Sequence, residues 1–138
     1  MIPKIVLDTN ILVSALWSSN HDSPVVRIYD ALIEKRFVPL YCAEIITEYE
    51  NVLKRDKFGF DPVMVDMIIR HIKDYGISIV PAESHETFPD PDDKIFYCVA
   101  LAAQFDNAVL VTGNKRHFPD ADFILTPSEF IALHAPLM

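Results

Sequence analysis

The chain has 138 residues, 51% of them apolar, which suits one domain with a proper core and excludes a disordered chain. Its net charge of −8 opposes nucleic-acid binding through bulk electrostatics, so such chemistry needs a local basic patch or bound cations. No apolar run reaches the ~20 residues that span a bilayer, and the start shows no secretion-signal pattern; a cytoplasmic protein with no membrane partner is expected.

In chain order, Ile5-Val6-Leu7 reads as a first strand, running into Asp8-Thr9-Asn10 and then an apolar helix from Ile11 to Trp17. "SPVVRIYDALIEKR" carries Val25, Val26, Tyr29, Leu32 and Ile33 at a helical period, opened by Ser23-Pro24. "FVPLY" predicts a second strand. "AEIITEYENVLKR" predicts a helix with Ile45, Ile46, Tyr49, Val52 and Leu53 on one stripe, broken by "KFGFD". Pro62 starts another helix, and "ISIV" is a third strand ended by Pro81. "DPDD" forms a turn into "KIFYCVALAAQF", a helix apolar nearly all round and so deeply packed. "AVLV" is a fourth strand, followed by "TGNKRHFPD", a short strand at "FIL" and a last helix at "PSEFIALH".

Strands alternating with helices predict an α/β fold: one domain over residues 1–138, with a mostly parallel sheet covered on both faces. Ligands of such folds sit beyond the carboxyl ends of the strands. Asp8 and the Thr112-Gly113-Asn114 group both directly follow strands, which puts both on that rim. Cys42 and Cys98, far apart and outside any C-x-x-C pattern, read as buried thiols of a reducing compartment.

The acids have ordinary explanations when taken singly. Asp8 suits a helix N-cap. Glu48 borders the apolar stripe of its helix and extends to solvent, or needs a partner if buried. Asp90, Asp92 and Asp93 make a turn and a cap, although one cap uses only one acid. Trp17 reads more readily as a core or interface residue than as a base-stacking platform.

Together, "VLDTNILVSAL", "EIITEYENVL", "DPDDKIFYCVALAA" and "VLVTGNKRHFP" resemble the PIN domain family in order and spacing, over nearly the whole chain. The nearest branch is that of toxin components of bacterial toxin–antitoxin pairs. The resemblance implies a three-layer α/β/α sandwich and a metal-dependent endoribonuclease. It implies metal-binding, catalytic carboxylates at Asp8, Glu48 and Asp93. Asp93 is preferred over Asp92 because the spacing Asp-Pro-x-Asp-x-x-Phe-x-x-x-Ala falls on Asp90, Asp93, Phe96 and Ala100. Asn114 takes a position where many relatives carry a further Asp; it brings a ligand oxygen without charge, which leaves one or two metals open. Asn10, Ser14 and Thr112 match supporting polar positions. Homodimers and a cognate antitoxin are expected partners.

Hard carboxylate ligands suit Mg²⁺ or Mn²⁺, which neutralise converging acids, polarise a phosphodiester and activate water for in-line attack. Lys115 and Arg116, beside the Asn114 turn, are candidates for gripping RNA phosphates, and so are Lys54, Arg55 and Lys57. A phosphotransfer receiver wants an acidic pair after strand one and a separate Asp after a middle strand. A haloacid dehalogenase-type phosphatase wants Asp-x-Asp where Asn10 now stands. Neither matches. A catalytically inactive PIN-like module that binds RNA or protein is the stronger rival, because of Asn114.

Overall fold

The computed structural model describes residues 2–134. The first strand, β1 (Lys4–Leu7), carries Ile5, Val6 and Leu7, all buried. Successive strand side chains point to opposite faces, so burial of all three means that the sheet is covered on both sides. Around it lie β2 (Val38–Tyr41), β3 (Ile77–Ser78), β4 (Val109–Val111) and β5 (Ile124–Leu125), in the order β3-β2-β1-β4-β5. Every pairing is parallel: Ile5 lies opposite Pro39 on one side and Val109 on the other.

The helices are α1 (Thr9–Trp17), α2 (Pro24–Ile33), α3 (Ala43–Leu53), α4 (Pro62–Tyr75), α5 (Lys94–Ala102) and α6 (Pro127–His134). They complete the expected α/β/α sandwich. Helix α5 crosses β1, β2 and β4, and its residues Phe96 to Ala100 are all buried, as its nearly continuous apolar sequence requires. Helix α1 packs on α2, and α3 on α4 and α5. Cys42 and Cys98 are buried free thiols. No helix among the described residues is long and apolar enough to cross a membrane.

Differences from the expected elements lie at their ends. Helix α1 begins two residues early, at Thr9, directly after Asp8. Strand β3 keeps only Ile77 and Ser78, both exposed; it lies at the sheet edge, where one side has no partner strand. Helix α5 stops at Ala102 and the chain turns through 3-10 geometry at Gln104–Asp106, with Asn107 left-handed. "DPDD" and "NKRH" each wind into one 3-10 turn, Pro91–Asp93 and Lys115–His117.

Helix α4 ends on Gly76 where it meets the back of β2. A Cβ there would lie 2.4 Å from both the Ile72 and the Pro39 carbonyl oxygens. Both are backbone atoms, so neither can swing aside. Gly113 has only ordinary contacts, at 3.5 Å from Asn10 Oδ1. Gly76→Ala is therefore expected to cost about 1–3 kcal/mol, the range of core overpacking. Gly113→Ala is expected to leave stability nearly unchanged. Urea midpoints of the two variants measured side by side check this.

Candidate metal centre

The strand order reverses direction at β1. From β1 the chain steps to β2 on one side, and from β4 it steps to β5 on the other. Neighbouring loops that depart in opposite directions leave a crevice at the carboxyl ends of the strands. Asp8 and Thr112 are the first residues past β1 and β4 and face each other across it.

Asp8 is only 4% exposed and Thr112 is fully buried. The Asp8 N–H extends the ladder to the Val111 carbonyl at 3.0 Å. The Thr112 hydroxyl donates to Asp8 Oδ2 at 2.6 Å and accepts from the Asn114 N–H at 3.0 Å. The Gly113 N–H donates to Asn10 Oδ1 at 3.3 Å. Thr112 and Asn10 thus latch the loop after β4 to the start of α1. Asp8 holds the N-cap position of α1, but its side chain makes no cap hydrogen bond. The carboxylate is turned to Thr112 and the crevice, with the Thr9 and Asn10 N–H groups also close to it, so capping alone does not account for it.

The other acids arrive from separate elements. Tyr49 is buried and its hydroxyl donates to the Leu7 carbonyl, which pins α3 to the end of β1. Glu48, one residue earlier, is carried to the crevice by that anchor and is half-buried. Asp90 accepts the Asp92 N–H at 3.0 Å, fixing the 3-10 turn that leads Asp93 into α5. Asp8, Asn10, Ser14, Glu48, Asp90, Asp92, Asp93 and Asn114 all line one open cleft of about 290 Å³. Trp17, Phe58, Val52 and Phe96 form its apolar wall.

Lys115 and Arg116 do not line this cleft. Lys115 Nζ is held by Glu129 Oε1 at 3.1 Å, and both basic residues border a separate cavity with Phe118, Pro119 and Asp120. Lys54 is likewise engaged, 2.7 Å from Asp66. Trp17 is not a core residue, being 60% exposed. Phe58, from the "KFGFD" break, is a cleft residue that periodicity does not single out. A pair of phenylalanines in a segment without helical or strand period is the signal that was there to find.

Crowding sets the electrostatics. Burial first, then the charges of Asp8, Asp90, Asp92 and Glu48, push Asp93 from 3.8 up to about 7. Burial also raises Glu48, with Asp92, Asp90 and Asp8 adding to it and Arg55 opposing. Burial raises Asp8, while the Thr112 hydroxyl and the nearby Thr9 and Asn10 N–H groups pull it down. Among the described residues no three His, Cys, Asp or Glu side chains are gathered into a closed ligand group. An all-oxygen rim of mutually repelling carboxylates fits a hard divalent cation that keeps part of its own water. Asp8, Glu48, Asp93 and the Asn114 amide are the groups that would hold it.

Fold and rim together define a small parallel α/β domain with an acidic centre at its switch point. A family model described as "PIN domain" matches residues 4–116, from β1 to the turn after β4, and the chain belongs to that family. PIN domains are generally nucleases and generally use divalent metals. No curated protein matches the chain.

The raised Asp93 has a measurable consequence for the metal-free protein. Its folded pKa of about 7 lies above the ordinary 3.8, so the folded state binds more protons between those values. Stability therefore falls as pH rises from about 4 to about 7, and the loss is complete above that. Asp93→Asn removes this dependence. With chelator present, the melting midpoint of the wild type minus that of Asp93→Asn is expected to drop across this window and flatten above it. Mn²⁺ at pH 7.5 should raise the wild-type midpoint much more than the variant's. A difference independent of pH would mean that Asp93 does not feel its neighbours.

Proposed function

We propose that the protein is a metal-dependent endoribonuclease acting on RNA phosphodiester bonds, the toxin of a toxin–antitoxin pair in the cytoplasm. The observation that carries this reading is the meeting of five carboxylates from three separate segments in one cleft of a PIN domain. A turn or a helix cap uses one acid; nothing in folding calls for five at one place, and their repulsion costs stability. Mg²⁺ or Mn²⁺ bound there supplies charge neutralisation, polarisation of the phosphodiester and activation of water. The chain's own residues do the positioning. Thr112 fixes one oxygen of Asp8 and leaves the other to the cleft. Asn10 holds the Gly113 N–H and so the loop carrying Asn114. Ser14, one turn further along α1, offers a hydroxyl on the same rim.

A cognate antitoxin and a second copy of the chain are the proposed protein partners, with residues 1–138 acting as one domain. The exposed apolar residues Ile33, Val63 and Met67 on α2 and α4 support a protein partner. The rival, a catalytically inactive PIN-like binding module, rests on the uncharged Asn114.

Asp8→Asn is expected to abolish RNA cleavage and weaken Mn²⁺ binding, with the circular dichroism spectrum retained. Cleavage at the wild-type rate would exclude this centre. Asp93→Ala is expected to reduce activity at least about tenfold more than Asp92→Ala, the difference between losing a cation ligand and losing a neighbouring charge. Equal losses would shift the ligand role along the turn.

Asn114→Asp is expected to tighten Mn²⁺ binding, because one more negative charge at the rim strengthens Coulomb attraction. Paired calorimetric titrations at one pH and ionic strength check this. Unchanged affinity and stoichiometry would place Asn114 outside the cation's field.

A further inference from the structure

Trp17 ends α1, seven residues after Asn10 and three after Ser14, a spacing that keeps the three on one helix face. All three line the acidic cleft. It is the chain's single tryptophan, and 60% of its surface is open. Leaving a large aromatic ring in water forfeits hydrophobic stabilisation, and its packing contacts do not require it. Phe58 meets the indole at 4.8 Å and 76°, Phe60 at 6.4 Å and 67°. Those two phenylalanines are stacked on each other with centroids 5.6 Å apart, so both stand on the same side of Trp17. The two phenylalanines thus brace the ring from one direction, and with 60% of its surface exposed the indole stays largely open to solvent.

We propose that the open face of Trp17, braced by Phe58, stacks an unpaired nucleobase of a single-stranded RNA lying across the acidic cleft. This deepens the nuclease reading and rests on it. Stacking on an aromatic side chain needs a base whose own face is free, which a single strand offers and a duplex does not. The surroundings suit a nucleotide. The indole lines the same cleft as the carboxylates proposed to hold a cation at the scissile phosphate. Its Phe58 brace belongs to the 3-10 turn Asp56–Phe58, which has Arg55 at its N-cap and Lys57 Nζ 5.1 Å from the Phe58 ring centre. Arg55 and Lys57, on the same turn as the brace, are the cations this proposal assigns to the phosphates flanking the stacked base. Lys115 and Arg116, in contrast, border a different cavity.

The single tryptophan reports on its own site. In the Asp8→Asn chain, which keeps RNA intact, Trp17 fluorescence is expected to be quenched saturably by a single-stranded RNA oligonucleotide in Mg²⁺. The same sequence as a duplex, or a strand of abasic residues, should quench far less. With a fluorescein-labelled strand, Trp17→Ala in the same background is expected to weaken binding about fivefold or more, and Trp17→Phe to restore most of it. A merely structural role for the ring would not favour single strand over duplex. Binding that leaves Trp17 fluorescence unchanged, unaltered affinity in Trp17→Ala, equal quenching by duplex, or no RNA binding would each overturn the platform. The two readings fail separately. A wild-type chain that cleaves no RNA while Trp17 is quenched by single strands refutes the nuclease and keeps the platform. Wild-type KM and turnover in Trp17→Ala refute the platform and keep the nuclease.

Discussion

The site hangs on one buried carboxylate. Asp8 sits at the end of the central strand with almost no access to water and accepts a single strong hydrogen bond from Thr112. An ionised group in such a place costs several kcal/mol unless it is compensated. The Thr112 hydroxyl, itself fully buried, is one compensation, and two backbone N–H groups at the start of α1 contribute a second. They are insufficient, since burial still raises the acid above its ordinary range. Asp90, Asp92, Asp93 and Glu48 then add negative charge instead of removing it. The remaining compensation has to come from outside the chain, either as protons or as a cation.

The topology makes this crowding possible without deciding its use. The order β3-β2-β1-β4-β5 matches five of the six strands of the dinucleotide-binding order 3-2-1-4-5-6, which uses the same switch point. Those folds present glycines after the first strand so that a backbone can approach a pyrophosphate. Here the three glycines are at 59, 76 and 113, none of them between β1 and α1. The crevice opens on Asp8, whose carboxylate repels a pyrophosphate and attracts a cation. A receiver domain differs already at the level of the sheet, since its order is 2-1-3-4-5. Function resides in what occupies the crevice, and the fold only supplies it.

How much was readable in the sequence follows from which forces act locally. The α/β alternation was legible because buried parallel strands read as short apolar runs and amphipathic helices as a 3.6-residue period. Asp8, Glu48 and Asp93 each had an ordinary local explanation as cap, helix border and turn, and only the order and spacing of the four motifs that resemble PIN domains singled them out. The edge strand β3 was overextended, because "ISIV" is apolar whether or not it has a partner strand. The basic turn was the harder case. Lys115 lies one residue beyond Asn114 in the chain, yet its ammonium is drawn to Glu129, fourteen residues later, a pairing that no local pattern contains. Trp17 reads as a core residue in any hydrophobic count. Only the tertiary structure shows that it meets Phe58 and Phe60 from one direction and leaves 60% of its surface in solvent.

These features bear on how a protein of net charge −8 would hold a polyanion. Bulk electrostatics oppose the encounter, and the cleft itself is lined by five carboxylates. Cations at the carboxylates reverse the sign locally, but only within about 10 Å, the reach of a charge at moderate salt. Lys54 and Lys115 are each paired with a carboxylate, Asp66 and Glu129, which reduces what those two add to holding RNA. Stacking is the attraction that survives these conditions. It needs a flat face and no net charge, it is insensitive to screening, and it acts on the base instead of the phosphate. A PIN domain with an open indole lining its acidic cleft would, in the proposed reading, combine two attractions that the −8 does not cancel, one at the reacting phosphate and one at a base beside it.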